Sequence, residues 1–197
     1  MKNFKYLFLI ALYTSCSVTK DKNGPINDYL ESQKLGDQKV MIIKEKINNN
    51  VTIDIFKGKT FYYEGAEKNV KVEGIEEPLY DKKKWEEMKL KYQNKINTDR
   101  WVKGDIWNSK DFKKQNILFF ERAKFPNPGK YEKFNFDDYY IIFSFSEPIY
   151  YDKKYAVFTI QKTDTYSKIL GNTSILVLEK KKGKWVVVQG AGDGIYN

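Results

Sequence analysis

Glu121, Asp138 and Glu147 fall at the ends of apolar, β-branched runs. Two carboxylates facing each other across a cleft are what glycoside hydrolysis requires: one protonates the leaving oxygen and the other acts as base or nucleophile. These three are the acids the chain nominates for that chemistry. Composition removes most other hydrolytic devices. With no histidine and a single cysteine, Ser-His-Asp triads, Cys-His dyads and ordinary zinc sites lack their imidazole or thiolate groups. Carboxylate chemistry, lysine-assisted serine chemistry, oxygen-ligand metal binding and no catalysis at all remain. Asp105, Asn108 and Asp111 offer oxygens but lack the glycine and terminal glutamate of an EF-hand loop, so no metal is expected. The glycines of "GAGDG" (residues 190–194) precede "IYN" rather than a helix whose N-terminus could cradle a phosphate, and no cofactor is expected. Charged residues at strand ends are commonplace, so the expectation is a protein without catalytic residues.

Aromatic side chains are the other candidates. Trp101, Trp107 and Phe112, and the pairs Tyr62-Tyr63 and Tyr150-Tyr151, are interleaved with Lys, Asn and Asp. Such groups stack on sugar rings or anchor a protein partner; equally, they cap a sheet and cover a helix. On the first reading Trp101, Trp107 and Phe112 are the candidate binding aromatics of a non-catalytic module whose partner is a protein or a glycan. The alternative is a carboxylate-dependent hydrolase of envelope glycan.

The cysteine supplies an address. Lys2 and Lys5 precede a short apolar run, "YLFLIALY" (residues 6–13), and "TS" stands directly before Cys16. A positive segment, a short apolar run and small residues are the layout of a secretory signal, and the run is too short to span a bilayer. These residues resemble the bacterial lipoprotein signal, although Tyr13 stands three before the cysteine where that family usually carries Leu. The resemblance implies removal of residues 1–15 as a signal peptide and diacylglycerol attached to Cys16. Two or three acyl chains, at roughly 0.8 kcal/mol per buried methylene, hold a chain firmly without a spanning helix. Ser17 after the cysteine, rather than Asp, implies the outer membrane of a Gram-negative envelope. Residues 16–24, ending at Gly24-Pro25, read as a polar tether.

Residues 25–197 then suffice for one domain, which at that size buries roughly 70% of its unfolded surface without disulfide staples. The net charge of +9 becomes +7 once Lys2 and Lys5 leave with the leader. Its lysines are scattered beside strands, as in "DKKKW" and "EKKKGKW", the pattern of solvated edges. An exported chain is not expected to meet nucleic acid.

Elements follow from pattern. "PINDYLESQKL" opens on Pro25 and spaces Ile26, Tyr29 and Leu30 helically. "KVMIIKEKI", "VTIDIF" and "TFYYEG" read as strands, "YDKKKWEEMKLKYQNKI" as a helix, "TDRWVKGDIWNSKDFKKQ" as irregular and "NILFFE" as a strand. A long loop holds Pro126 and Gly129. From residue 139 onward "YYIIFSF", "KYAVFTIQK", "TSILVLEK" and "KWVVVQG" are short apolar runs divided by turns, and within them Ala156, Phe158 and Ile160 alternate with Tyr155, Val157 and Thr159 as half-buried strands do. Gly183 sits where a hairpin needs positive φ, and Pro148 marks a bulge or edge. The predicted fold is α+β: an antiparallel β-meander in the C-terminal half with helices packed on one face. The combination "FSFSEPIYYDKKYAVFTI … LVLEKKKGKWVVV" is similar to the C-terminal part of small uncharacterised lipoproteins of Gram-negative bacteria. That resemblance implies fold and address and brings no catalytic residues. Intact-mass analysis of chain recovered from membranes is expected to find a diacylated Cys16 at the N-terminus; a full-length soluble product retaining Met1 overturns the anchor.

Overall fold

The structure, a computed structural model, describes residues 21–58, 82–124, 138–151, 154–167 and 172–192. Cys16 with its leader, Tyr62 and Tyr63 with the rest of "TFYYEG", Pro126, Gly129 and Gly194 lie outside them. The described residues form three helices and a mixed seven-strand sheet, an α+β architecture.

Pro25 in the first turn opens α1 (Gly24–Ser32), whose Ile26, Tyr29 and Leu30 share a buried stripe because residues three and four apart lie on one helix face. The sheet runs in the order β4 (Ile117–Phe120), β1 (Lys39–Ile43), β5 (Tyr140–Phe145), β7 (Tyr155–Asp164), β8 (Thr173–Lys181), β9 (Lys184–Gly192). The short β6 (Ile149–Tyr151), just after Pro148, pairs with the beginning of β7. Strands β5, β7, β8 and β9 are antiparallel neighbours. The C-terminal meander is therefore part of a larger sheet, because β1 inserts parallel to both β4 and β5. A separate antiparallel pair joins β2 (Glu45–Ile47) to β3 (Trp101–Ile106). Where the sequence reads as irregular, β3 forms a strand and Gly104 takes φ +83° within it, a conformation open to glycine.

Helices cover both faces of the sheet, not one. Ala156, Phe158 and Ile160 of β7 join Val40, Ile42, Phe143 and Phe145 against α1. Val157, with Ile175 and Val177, packs instead on Ile53 and Phe56 of α2 (Asn49–Gly58) and on Trp85 and Met88 of α3 (Lys82–Tyr92). The cause is visible in β7, where Ala156 through Gln161 are buried without interruption; a strand buried on both sides needs cover on both.

"VTIDIF", expected as a strand, lies inside α2. Thr52, Ile53, Ile55 and Phe56 are buried while Asp54 and Lys57 are exposed, which is a helical rather than a two-residue period. Asn48 decides the matter locally, its Oδ1 accepting from the Asn50 N–H at 3.0 Å as a helix-capping side chain does. Thr52 then fixes where α2 lands, since its buried hydroxyl bonds Ser146 at 3.0 Å and Thr159 at 2.7 Å.

The β8–β9 hairpin closes through Lys182 and Gly183, both at positive φ (49° and 86°), as a two-residue turn of this hand requires. Further along the pair the register shifts beside Val177 and Leu178. Trp185 is buried on the α1 side, its ring edge-on to Tyr150 at 5.8 Å and its backbone N–H donating to the Asp28 carboxylate of α1 at 2.8 Å. Trp185→Ala is expected to cost about 3–5 kcal/mol in denaturant unfolding; an unchanged midpoint would show that this strand does not belong to the core.

Candidate functional site

Strands β4, β1 and β5 are parallel and end side by side, and in open sheets the space beyond such carboxyl ends is where ligands gather. The backbone continues this alignment past β1: Lys44 N–H donates to Phe120 O at 2.8 Å, and Ile47 bridges to Ser146 in parallel. The chain therefore sets Lys44, Glu45 and Lys46 beside Glu121 from β4 and Glu147 from β5.

Lys46 is the centre of this group. Its side chain is 8% exposed, yet its ammonium lies 2.6 Å from Asp105 of β3 and 2.8 Å from Glu147, and 4.7 Å from the Trp107 ring centroid. Burial pushes the ammonium pKa down, but hydrogen bonds to Asp105 and Glu147 outweigh it and hold the group above the ordinary lysine value. Burial likewise pushes Glu147 up, and hydrogen bonds from Lys22 and Lys46 reverse the effect and leave it below the ordinary glutamate value. Lys22 reaches Glu147 at 2.8 Å from the first described residues of the chain.

Beside this charged group a cleft of about 140 Å³ opens, lined by Lys46, Asn48, Asn49, Asn94, Asp105 and Glu147, with Tyr92 and Val102. Its walls are held by asparagines. Asn48 Nδ2 donates to the carbonyls of Asn97 and Asp99 at 2.8 and 2.9 Å. Asn50 and Asn94 are joined by two 2.9 Å bonds, Asn50 Nδ2 to Asn94 O and Asn94 N–H to Asn50 Oδ1. The segment after α3 is thereby stitched to the start of α2. Asn49 Oδ1, in the first turn of α2, is shielded from solvent and has no hydrogen-bond partner among the described residues. The cleft thus sets carboxylates and asparagine side chains beside an aromatic ring.

The expected binding aromatics do not form a surface. Trp107 and Phe112 are 1% and 5% exposed, ring to ring at 5.4 Å in the α1-side core. Trp107 lends only the underside of its ring, to Lys46. Trp101 lies on the opposite side of the sheet against Met41, Ile43 and Ile142, half-buried, with the Arg122 guanidinium 4.8 Å from its centroid.

Asp138 and Glu147 do not face each other across a cleft. Asp138 precedes β5 and Glu147 follows it, and the five steps of that strand alone span roughly 17 Å, beyond the separation a glycosidase uses. Each acid is bound to lysine instead: Asp138 to Lys39, Glu121 to Lys44 and Lys124, Glu147 to Lys22 and Lys46. The lysines hold Glu121 below the ordinary glutamate value, whereas a general acid needs its pKa raised. Asp105 is committed to Lys46, while Asp111 and Asn108 cap the single turn Ser109–Asp111. Among the described residues no cluster of three or more acidic, His or Cys side chains is placed to hold a metal.

Lys46 and the Asn48–Asn50 run escaped sequence reasoning. A lysine in "KVMIIKEKI" reads as solvated, and only the three consecutive asparagines hint at a cap. No known family model, curated protein or solved structure matches the chain. Among the described residues no helix is long and apolar enough to cross a membrane.

Glu147 stabilises the fold above its unfolded pKa of about 4.5, and this contribution is lost as pH falls through its lower folded value. Lys46 stabilises below about 10.5 and loses its contribution as pH rises through its higher folded value. Glu147→Gln is expected to cost about 1–3 kcal/mol at neutral pH, with the gap from wild type narrowing below pH 4.5. A gap that stays constant into acid would show that the charge of Glu147 is not what stabilises.

Proposed function

We propose that the chain is an exported envelope protein, anchored through a lipidated Cys16 and acting as a non-catalytic binding module through the cleft beside Lys46. The observation that carries the binding reading is the buried Lys46 ammonium shared between Asp105 and Glu147. Together with Lys22 on Glu147 it offsets the charge of both carboxylates, which suits recognition and leaves neither as the free acid that hydrolysis needs. The carboxylate oxygens and asparagine side chains that line the cleft suit a small polar group rich in hydroxyl or N–H, such as the exposed end of a glycan or peptide. Tyr92 supplies a face for it to lie against. The lipoprotein signal carries the address, and the outer membrane of a Gram-negative envelope is the location it supports.

Capture from envelope extracts tests the module. Wild-type protein is expected to retain one stoichiometric partner or glycan fraction, and Asn49→Leu, which fills the cleft, to lose at least about tenfold of that retention, the range of a buried hydrogen-bond defect, with unchanged circular dichroism. Glycan turnover abolished by Glu147→Gln would replace this reading with the hydrolase.

A further inference from the structure

The best-exposed apolar side chains in the described residues are Ile96 and Leu90, 99% and 75% exposed, at the C-terminal end of α3 and just beyond it. They sit in "KLKYQNKI" (residues 89–96), which carries three lysines and no acid. Tyr92 and Asn94, between the two apolar residues, line the same cleft as Glu147, and Glu147 holds Lys22 at 2.8 Å. The Tyr150 hydroxyl, on the strand β6 that touches α3, donates to the carbonyls of Asp21 and Lys22 at 3.4 and 3.2 Å. The first described residues of the chain are therefore clasped beside the α3 end.

Asp21 is only five residue steps on from Cys16. A chain that short spans at most about 18 Å, so a lipid on Cys16 keeps the clasped side of the domain close to the headgroups. Two bare apolar side chains in a segment that carries Lys89, Lys91 and Lys95, with Glu86 and Glu87 one turn before it, suit an anionic lipid surface: the apolar groups enter the acyl boundary while the ammonium groups stay among the phosphates. We propose that the segment from Lys89 to Ile96 is a second membrane contact, inserting Leu90 and Ile96 among anionic lipids and so fixing the orientation of the domain on the bilayer. This rests on the lipidation of Cys16, and the contact borders the cleft of the binding reading, with which it shares Tyr92 and Asn94.

The lipidated chain itself serves for the test. Because Cys16 is the only cysteine and its thiol is acylated, Ile96→Cys and, as a control, Ser167→Cys each give one labelling position for an environment-sensitive fluorophore. Ser167 lies past the end of β7 remote from β6. The protein is reconstituted in phosphatidylcholine vesicles with and without phosphatidylglycerol. With phosphatidylglycerol, position 96 is expected to be quenched severalfold more by spin-labelled lipid than position 167, and to be shielded from iodide. Lys91→Glu with Lys95→Glu is expected to abolish that difference. Equal, weak lipid quenching at both positions overturns the proposal. So does shielding of position 96 that appears without vesicles and grows with protein concentration, since it assigns the patch to a second copy. The mass of Cys16 is read on the same sample, so a lipidated chain whose position 96 remains in water removes this contact while the anchor stands.

Discussion

A lysine ammonium out of water must find its counter-charges nearby, and much of the molecule around Lys46 is arranged to supply them. One carboxylate comes from β3, which would otherwise have little reason to lie against β2: its outer residues are largely exposed and its register against β2 is irregular. The other comes from the segment after β5, the point at which the chain leaves the parallel part of the sheet and prepares to turn into β6. Trp107 closes the underside, its own N–H groups satisfied by Phe145 O and Lys44 O. A single buried charge thereby links two sheets, a loop and the beginning of the described chain. Such pairs contribute little net stability, but removing one partner is costly, so their clearer effect is to make one arrangement of these elements better than its neighbours.

The parts of the fold legible from sequence are those in which local chemistry and tertiary demand agree. Pro25 and the Ile26, Tyr29, Leu30 stripe announce α1 because the same spacing that favours a helix also faces the sheet. Lys182-Gly183 announces its hairpin because few other turns suit those torsions. The alternation in β7 announces a strand, but the number of layers above it is not a local property; only the burial of both its faces reveals the second helical layer. Residues 51–56 show the opposite case. Their β-branched side chains favour a strand, and partners outside the segment override that preference: Asn48 before it, and Ser146 and Thr159, which bond the Thr52 hydroxyl.

The site was less legible than the fold for a similar reason. Trp107 and Phe112 look like recognition residues because their neighbours are polar, yet those neighbours belong to a surface turn whose aromatic members point inward. Lys46 looks like solvent-facing decoration for the converse reason. Its partners lie 59 and 101 residues away, and no window of sequence brings the three together. Glu147 was recognisable as an acid at a strand end, but its company of two lysines, which turns it from a proton donor into a fixed anion, was not.

The last strand of the sheet has a further consequence. An outermost strand offers unpaired backbone groups along its free side, an invitation to any passing strand. In β9 the N–H of Trp185 is already taken by Asp28, lysines cluster around the hairpin, and the register shift against β8 bends the strand away from flatness. These features keep encounters between copies of the chain from becoming aggregation.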